Sequence, residues 1–87
     1  MNIVISPKAE KQLRKLPKFD QIAVAQKIRA LRVSDIHSEE KLSGYKDIFR
    51  IRVGDYRMVY RKTSQSIYII VIRHRRDVYR LLKELWG

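Results

Sequence analysis

The sequence has no cysteine, three glycines and two prolines in 87 residues, and its 9 acidic side chains are set against 20 basic ones. Without cysteine there is no disulfide scaffold, no thiolate metal site and no thiol nucleophile. Glycine stands only at 44, 54 and 87 and proline only at 7 and 17, so no flexible linker divides the chain. The longest apolar run, residues 67–72, is six residues long, far short of the ~20 that a membrane helix needs. The opening residues, Met1 to Pro7, show no basic segment followed by an apolar stretch. No secretory signal is therefore expected, and the expected location is the cytoplasm.

What is present suits one small domain over 1–87. Hydrophobic residues make up 45% of the chain, an ordinary globular fraction that argues against disorder. The formal charge is +11, and it is unevenly spread. Residues 50–80 hold nine basic and two acidic side chains, a field that attracts polyanions.

The hydrophobic period predicts the elements. Residues 2–5 read as a strand stopped by Ser6-Pro7, which is also a helix-start signal. Ala9, Leu13 and Leu16 then lie on one helical face, and Pro17 breaks that helix. A second helix is expected over about 19–33, with Ile22, Ala25, Ile28 and Leu31 inward, and the two form a hairpin. Residues 34–38 read as a polar loop, and His37, among Asp35, Glu39 and Glu40, as surface. From Asp47 the period becomes two: Phe49, Ile51 and Val53 point one way, Ile48, Arg50 and Arg52 the other. Gly54-Asp55 is a tight turn to a strand at Tyr56–Lys62. After a second turn a strand at Ser66–His74 is apolar on both faces, and helical spacing returns over 76–86. The expected fold is α+β: a small, mostly antiparallel four-stranded sheet with an N-terminal helical hairpin and a C-terminal helix, in the order β-α-α-β-β-β-α. Tyr56, Tyr60 and Tyr68 take core-like strand positions, and Phe49 and Trp86 are expected to pack.

The arginines are the chemical signal. Arg50 and Arg52 share a strand face, and the short turn brings Arg57 alongside, with Arg61 further along the same face as Arg57. Guanidinium forks match phosphate oxygens in two-point geometry. Arg73, Arg75 and Arg76 end the last strand, with Tyr79 shortly after. His74 is the one group near this cluster whose ordinary pKa is near neutrality. Strand alternation turns it opposite Arg73 and Arg75, the geometry of a packing residue. The candidate RNA contacts are Arg61, Arg73, Arg76, His74 and Tyr45, the last as a stacking platform. The carboxylates are scattered and the two histidines lie far apart, so no metal site and no cofactor are expected.

The segment Lys41-Leu42-Ser43-Gly44, then IFRIRVGDYRMVYR over 48–61, then VIRHRRDVYR over 71–80, resembles the RelE/ParE superfamily of toxins from type II toxin–antitoxin systems, and most closely its RelE branch. The resemblance covers nearly the whole chain. It implies a RelE-like toxin domain over 1–87 that is an endoribonuclease, an mRNA interferase, entering the A site of the small ribosomal subunit and cutting mRNA without a metal. It implies a cognate antitoxin that wraps the toxin and covers the active surface, and no membrane partner. The family's catalytic positions fall on Arg50, Arg52, Arg57, Arg75 and Tyr79. Well-known RelE members carry lysines where this chain has Arg50 and Arg52. Arginine keeps its proton, so these two suit phosphate binding and leave the general base unassigned. Two other readings remain on the same fold: a ParE-like inhibitor of DNA gyrase, and an RNA-binding module that does not cut.

Overall fold

Ser6-Pro7 closes one element and opens the next. In a computed structural model, which describes residues 2–33 and 39–74, strand β1 (Asn2–Ile5) stops at Ser6 and helix α1 (Pro7–Lys15) starts with proline in its first turn. The Ser6 hydroxyl accepts from the Ala9 N–H at 2.9 Å and donates to the Ile70 carbonyl at 2.8 Å. One oxygen thus caps the helix and ties it to a strand 64 residues away. Leu16 is extended at φ −70°, ψ 150°, because a residue before proline is pushed out of the helical region. Helix α2 (Lys18–Val33) follows at once. The Gln21 side chain donates to the Arg14 carbonyl at 2.8 Å across the joint.

The sheet has five strands in the order β1-β5-β4-β3-β2. The added members are β2 (Glu40–Lys41), β3 (Ile48–Val53), β4 (Tyr56–Lys62) and β5 (Ser66–His74). β1 runs parallel to β5 and the other neighbours are antiparallel. The four expected strands form where the alternation placed them. The fifth, β2, is not among the expected strands, since two residues are too few to show a period. Gly54, at φ +61°, makes the β3–β4 turn in the left-handed region that glycine enters freely. The C-terminal helix expected over 76–86 and the loop expected over 34–38 lie outside the described residues. No described helix is long and apolar enough to cross a membrane.

The helix-facing side of the sheet carries the main core: Ile51, Met58, Tyr60, Ile67, Ile69 and Ile72 pack on Ala9, Val24 and Leu31. The other side has a smaller apolar cluster of Ile48, Val59, Ile70 and Val71, with Leu42 and Tyr45 against it. β5 serves both because of a bulge. Val59 pairs with Val71 while Tyr60 pairs with Ile69, which leaves Ile70 as the extra residue. Past the bulge the parity of β5 reverses.

Two expected packing positions differ. Ile22 is exposed, because the stripe of α2 that meets the sheet is Val24, Ile28 and Leu31 with Ala23. Two residues before Val24 is about 200° around the helix. Tyr68 also reaches solvent, opposite Val4 on the edge strand.

Candidate nucleic-acid interface

Three arginines form a row across the sheet. Arg52 on β3 pairs directly with Arg57 on β4, and Arg57 pairs with Arg73 on β5. Paired residues on neighbouring strands point to the same side, and strands lie about 4.8 Å apart. The row is therefore compact, and Arg50 joins it two residues along β3. Like charges placed directly opposite one another are unfavourable. Negative charge placed near the row offsets that cost.

One carboxylate is there. Glu40 pairs with Arg50 in the β2–β3 ladder, and Arg50 donates to its Oε2 from Nη2 at 2.7 Å and from Nε at 3.2 Å. Glu40, Arg50, Arg52 and Arg57 line a depression of about 70 Å³. The hydrogen bond from Arg50, then its charge, and more weakly the charges of Arg57 and Arg52, hold the Glu40 carboxyl below its ordinary value. It stays ionised at neutral pH while 64% of its side chain faces solvent.

The preceding residue fixes that placement from the other side of the sheet. Glu39 accepts from the Tyr60 hydroxyl and, at 2.6 Å, from Lys62 Nζ. Lys62 also lies 5.0 Å from the centroid of the Phe49 ring. Burial, then the Glu39 carboxylate, push the Tyr60 phenol far above its ordinary value, so it remains a donor. Glu39 and Glu40, which the sequence offers only as acidic neighbours of His37, thus have defined partners. Glu39 pins the start of β2 to the helix-facing side, and alternation turns Glu40 to the arginine side. Neither role shows in the sequence, where two adjacent glutamates beside a polar loop carry no period.

The other candidate residues separate. Arg61 pairs with Ile48 on the arginine side, beyond Val59. Tyr45 packs against the apolar cluster of that same side. His74 lies on the opposite side, paired with Tyr56 in the ladder and edge-on to its ring at 5.9 Å. It is opposite to Arg73, as alternation between adjacent strand residues requires. Arg75, Arg76 and Tyr79 lie outside the described residues.

Comparison with known proteins agrees with this architecture. Residues 3–79 match the family model described as the ParE toxin of type II toxin–antitoxin system, parDE. Among solved structures, the chain is similar to RelE in the archaeal RelE–RelB complex from Pyrococcus horikoshii OT3, with 26% identity over 85% of this chain and 93% of that one and a TM-score of 0.74. It shares its fold with RelE of the Methanococcus jannaschii RelB–RelE complex, at 22% identity over 87% and 94% with a TM-score of 0.75. The same holds for the isolated E. coli RelE toxin, at 24% identity over 97% of both chains with a TM-score of 0.71. No curated protein matches the sequence. With a family model spanning nearly its whole length and the fold to go with it, the chain belongs to the ParE toxin family, within the RelE/ParE superfamily of type II toxins.

Proposed function

We propose that this toxin is an mRNA interferase: it cuts mRNA in the ribosomal A site by internal transesterification and so stops translation, until a cognate antitoxin covers the arginine face. The observation that carries the reading is the row Arg52, Arg57, Arg73 with Glu40 beside it. In the reaction the 2′-oxygen attacks the adjacent phosphorus. A new O2′–P bond forms and the P–O5′ bond breaks, leaving a 2′,3′-cyclic phosphate and a 5′-hydroxyl. The extra negative charge on the pentacoordinate phosphate is what fixed cations stabilise best. Arg57 and Arg73 sit side by side for that task, and Arg50 and Arg52 hold the flanking backbone.

Glu40 supplies the base that the arginines cannot. A phosphate entering the row competes for Arg50, which releases the carboxylate and raises its proton affinity as the 2′-hydroxyl arrives. Glu40 then takes that proton, and the leaving 5′-oxygen takes one from water. The family resemblance adds Arg75 as a further phosphate ligand and Tyr79 as a group that stacks on a base or polarises the nucleophile. Arg61, Arg76, Tyr45 and His74 are the outlying candidate RNA contacts. No cofactor enters this chemistry. The partner structures of the Pyrococcus and Methanococcus relatives, each a complex with RelB, support an antitoxin partner. A ribosomal target places the protein in the cytoplasm.

The test is purified protein in a translating extract with mRNA ends mapped. Wild type yields new 5′-hydroxyl ends. Arg57→Ala lowers the cleavage rate by about 10²–10³, and Glu40→Gln by about 10²–10⁴, both folded. Absence of new ends with wild type, or full activity in both variants, overturns the reading. RNA bound but never cut marks a binding module. The matched ParE family model favours a second reading, inhibition of DNA gyrase, which a supercoiling assay with the same protein separates from mRNA cleavage.

A further inference from the structure

Beyond the end of β1, the edge of β5 is completed by side chains. β1 pairs with β5 only as far as Ile5 and Ile69. Past that point the Ser6 N–H donates to the Ile69 carbonyl at 3.0 Å, and the Ser6 hydroxyl takes the Ile70 carbonyl. Gln12, on α1, then accepts the Ile72 N–H at 2.8 Å through its Oε1. That bond sets the orientation of the amide, since only the oxygen can accept. The Gln12 Nε2 is left buried with no hydrogen-bond partner, in a residue that is 8% exposed.

Gln12 lines a groove of about 320 Å³ between α1 and the end of β5. Lys8, Lys11 and Lys15 line its helix side at spacings of three and four, one face of α1. No described carboxylate lies within ion-pair distance of these lysines, and Glu10, the one acid of α1, pairs with Arg14 instead. Tyr56 and His74 form an aromatic wall, and Arg73 lines the same groove. Arg73 is also the last member of the arginine row. Arg73 thus belongs both to the arginine row and to the lining of the α1 groove, which places the groove next to the row at the end of β5.

We propose that this groove is a second RNA-binding subsite, which takes the phosphodiester backbone of the strand as it leaves the arginine row. The lysines neutralise phosphates, the Gln12 amide offers its unused N–H to a phosphate or ribose oxygen, and Tyr56 with His74 gives a base an aromatic surface. The inference rests on the RNA reading above but adds to it a length requirement. A short RNA engages the arginine row alone, and a longer one engages both.

The experiment uses the full chain and uncleavable 2′-O-methyl RNAs of about three and about twelve nucleotides, lengths either side of a typical single-strand site. Anisotropy is followed against salt. Wild type binds the longer RNA more tightly. The triple variant Lys8→Ala, Lys11→Ala, Lys15→Ala loses on the order of tenfold in affinity for the longer RNA, and its salt slope falls by about 2. Its binding of the short RNA is unchanged. Gln12→Glu keeps the acceptor for Ile72 but replaces the donor by a negative charge, and it weakens the longer RNA selectively. Equal affinity of wild type for both lengths, or equal loss at both in the variants, overturns the subsite while leaving the cleavage reading intact. Unchanged RNA binding in the triple variant with weakened binding of an acidic helical peptide also overturns it and makes the groove a protein site. Wild type that binds neither RNA overturns the subsite, while the cleavage reading stands or falls on the mRNA ends mapped in the translating extract.

Discussion

The two sides of the sheet are built from the same strands and do different work. On one side Ile51, Met58, Tyr60 and Ile72 are sealed under the helical hairpin. On the other, Arg52, Arg57 and Arg73 stand in a row of like charge. Neighbours one position apart belong to opposite regimes: Arg57 and Met58 on β4, Arg73 and His74 on β5. Apolar packing and cationic charge are thus separated by the pleat of the strand rather than by distance along the chain. A substitution here is diagnosed by parity as much as by residue type.

The comparison breaks if neighbours on one strand respond alike. The largest effect is expected at Met58, which is 1% exposed. Met58→Ala costs about 2–5 kcal/mol of stability through the cavity it leaves, seen as a lower urea midpoint. Arg57→Ala, beside it, moves the midpoint by less than that and removes cleavage instead. Equal loss of stability in the two variants would merge the two sides into one structural unit. Next in size is Ser6→Ala, which removes both the α1 cap and the bond to Ile70. It is expected to cost about 1–2 kcal/mol, measured by the same melt.

The smallest effect sharpens the arginine side alone. Glu40 has its carboxyl lowered in the fold, chiefly by Arg50. Its contribution to stability is therefore complete above its ordinary value of 4.5 and is lost as pH falls through the lower folded value. Arg50→Ala raises the Glu40 titration midpoint toward 4.5, followed by carboxyl NMR. A midpoint that stays put would mean that Arg52 and Arg57 hold the carboxylate without Arg50.

Much of the molecule was legible in the sequence because its signals are local. A capping serine before proline marks the start of α1, and proline at 17 forces the break between the helices. Strict alternation over 48–53 separates Arg50 and Arg52 from Phe49, Ile51 and Val53. The Gly54-Asp55 turn is short enough to bring the strand of Arg57 alongside that of Arg52, and the register of the fold pairs the two. What escaped depends on partners distant in sequence. Glu40 reaches the arginines only because a two-residue strand pairs with β3, and Glu39 matters only because Tyr60 and Lys62 reach it. Gln12 reads as one more polar helical residue until the end of β1 exposes an Ile72 N–H for it to cover.

By itself, the sequence determined the order of the helical hairpin and the four longer strands, the presence of a guanidinium-rich strand face and the family, all of which follow from local period, turn chemistry and motif. The tertiary structure decided which side of the sheet Arg73 takes. An uninterrupted period of two from Ile67 would turn Arg73 toward the helices and His74 toward the arginines. The bulge at Ile70 adds one residue, reverses the parity, and sends Arg73 to its row and His74 to Tyr56. A single unpaired residue does this because strand side chains repeat every two positions, and its place is set by pairing with another strand.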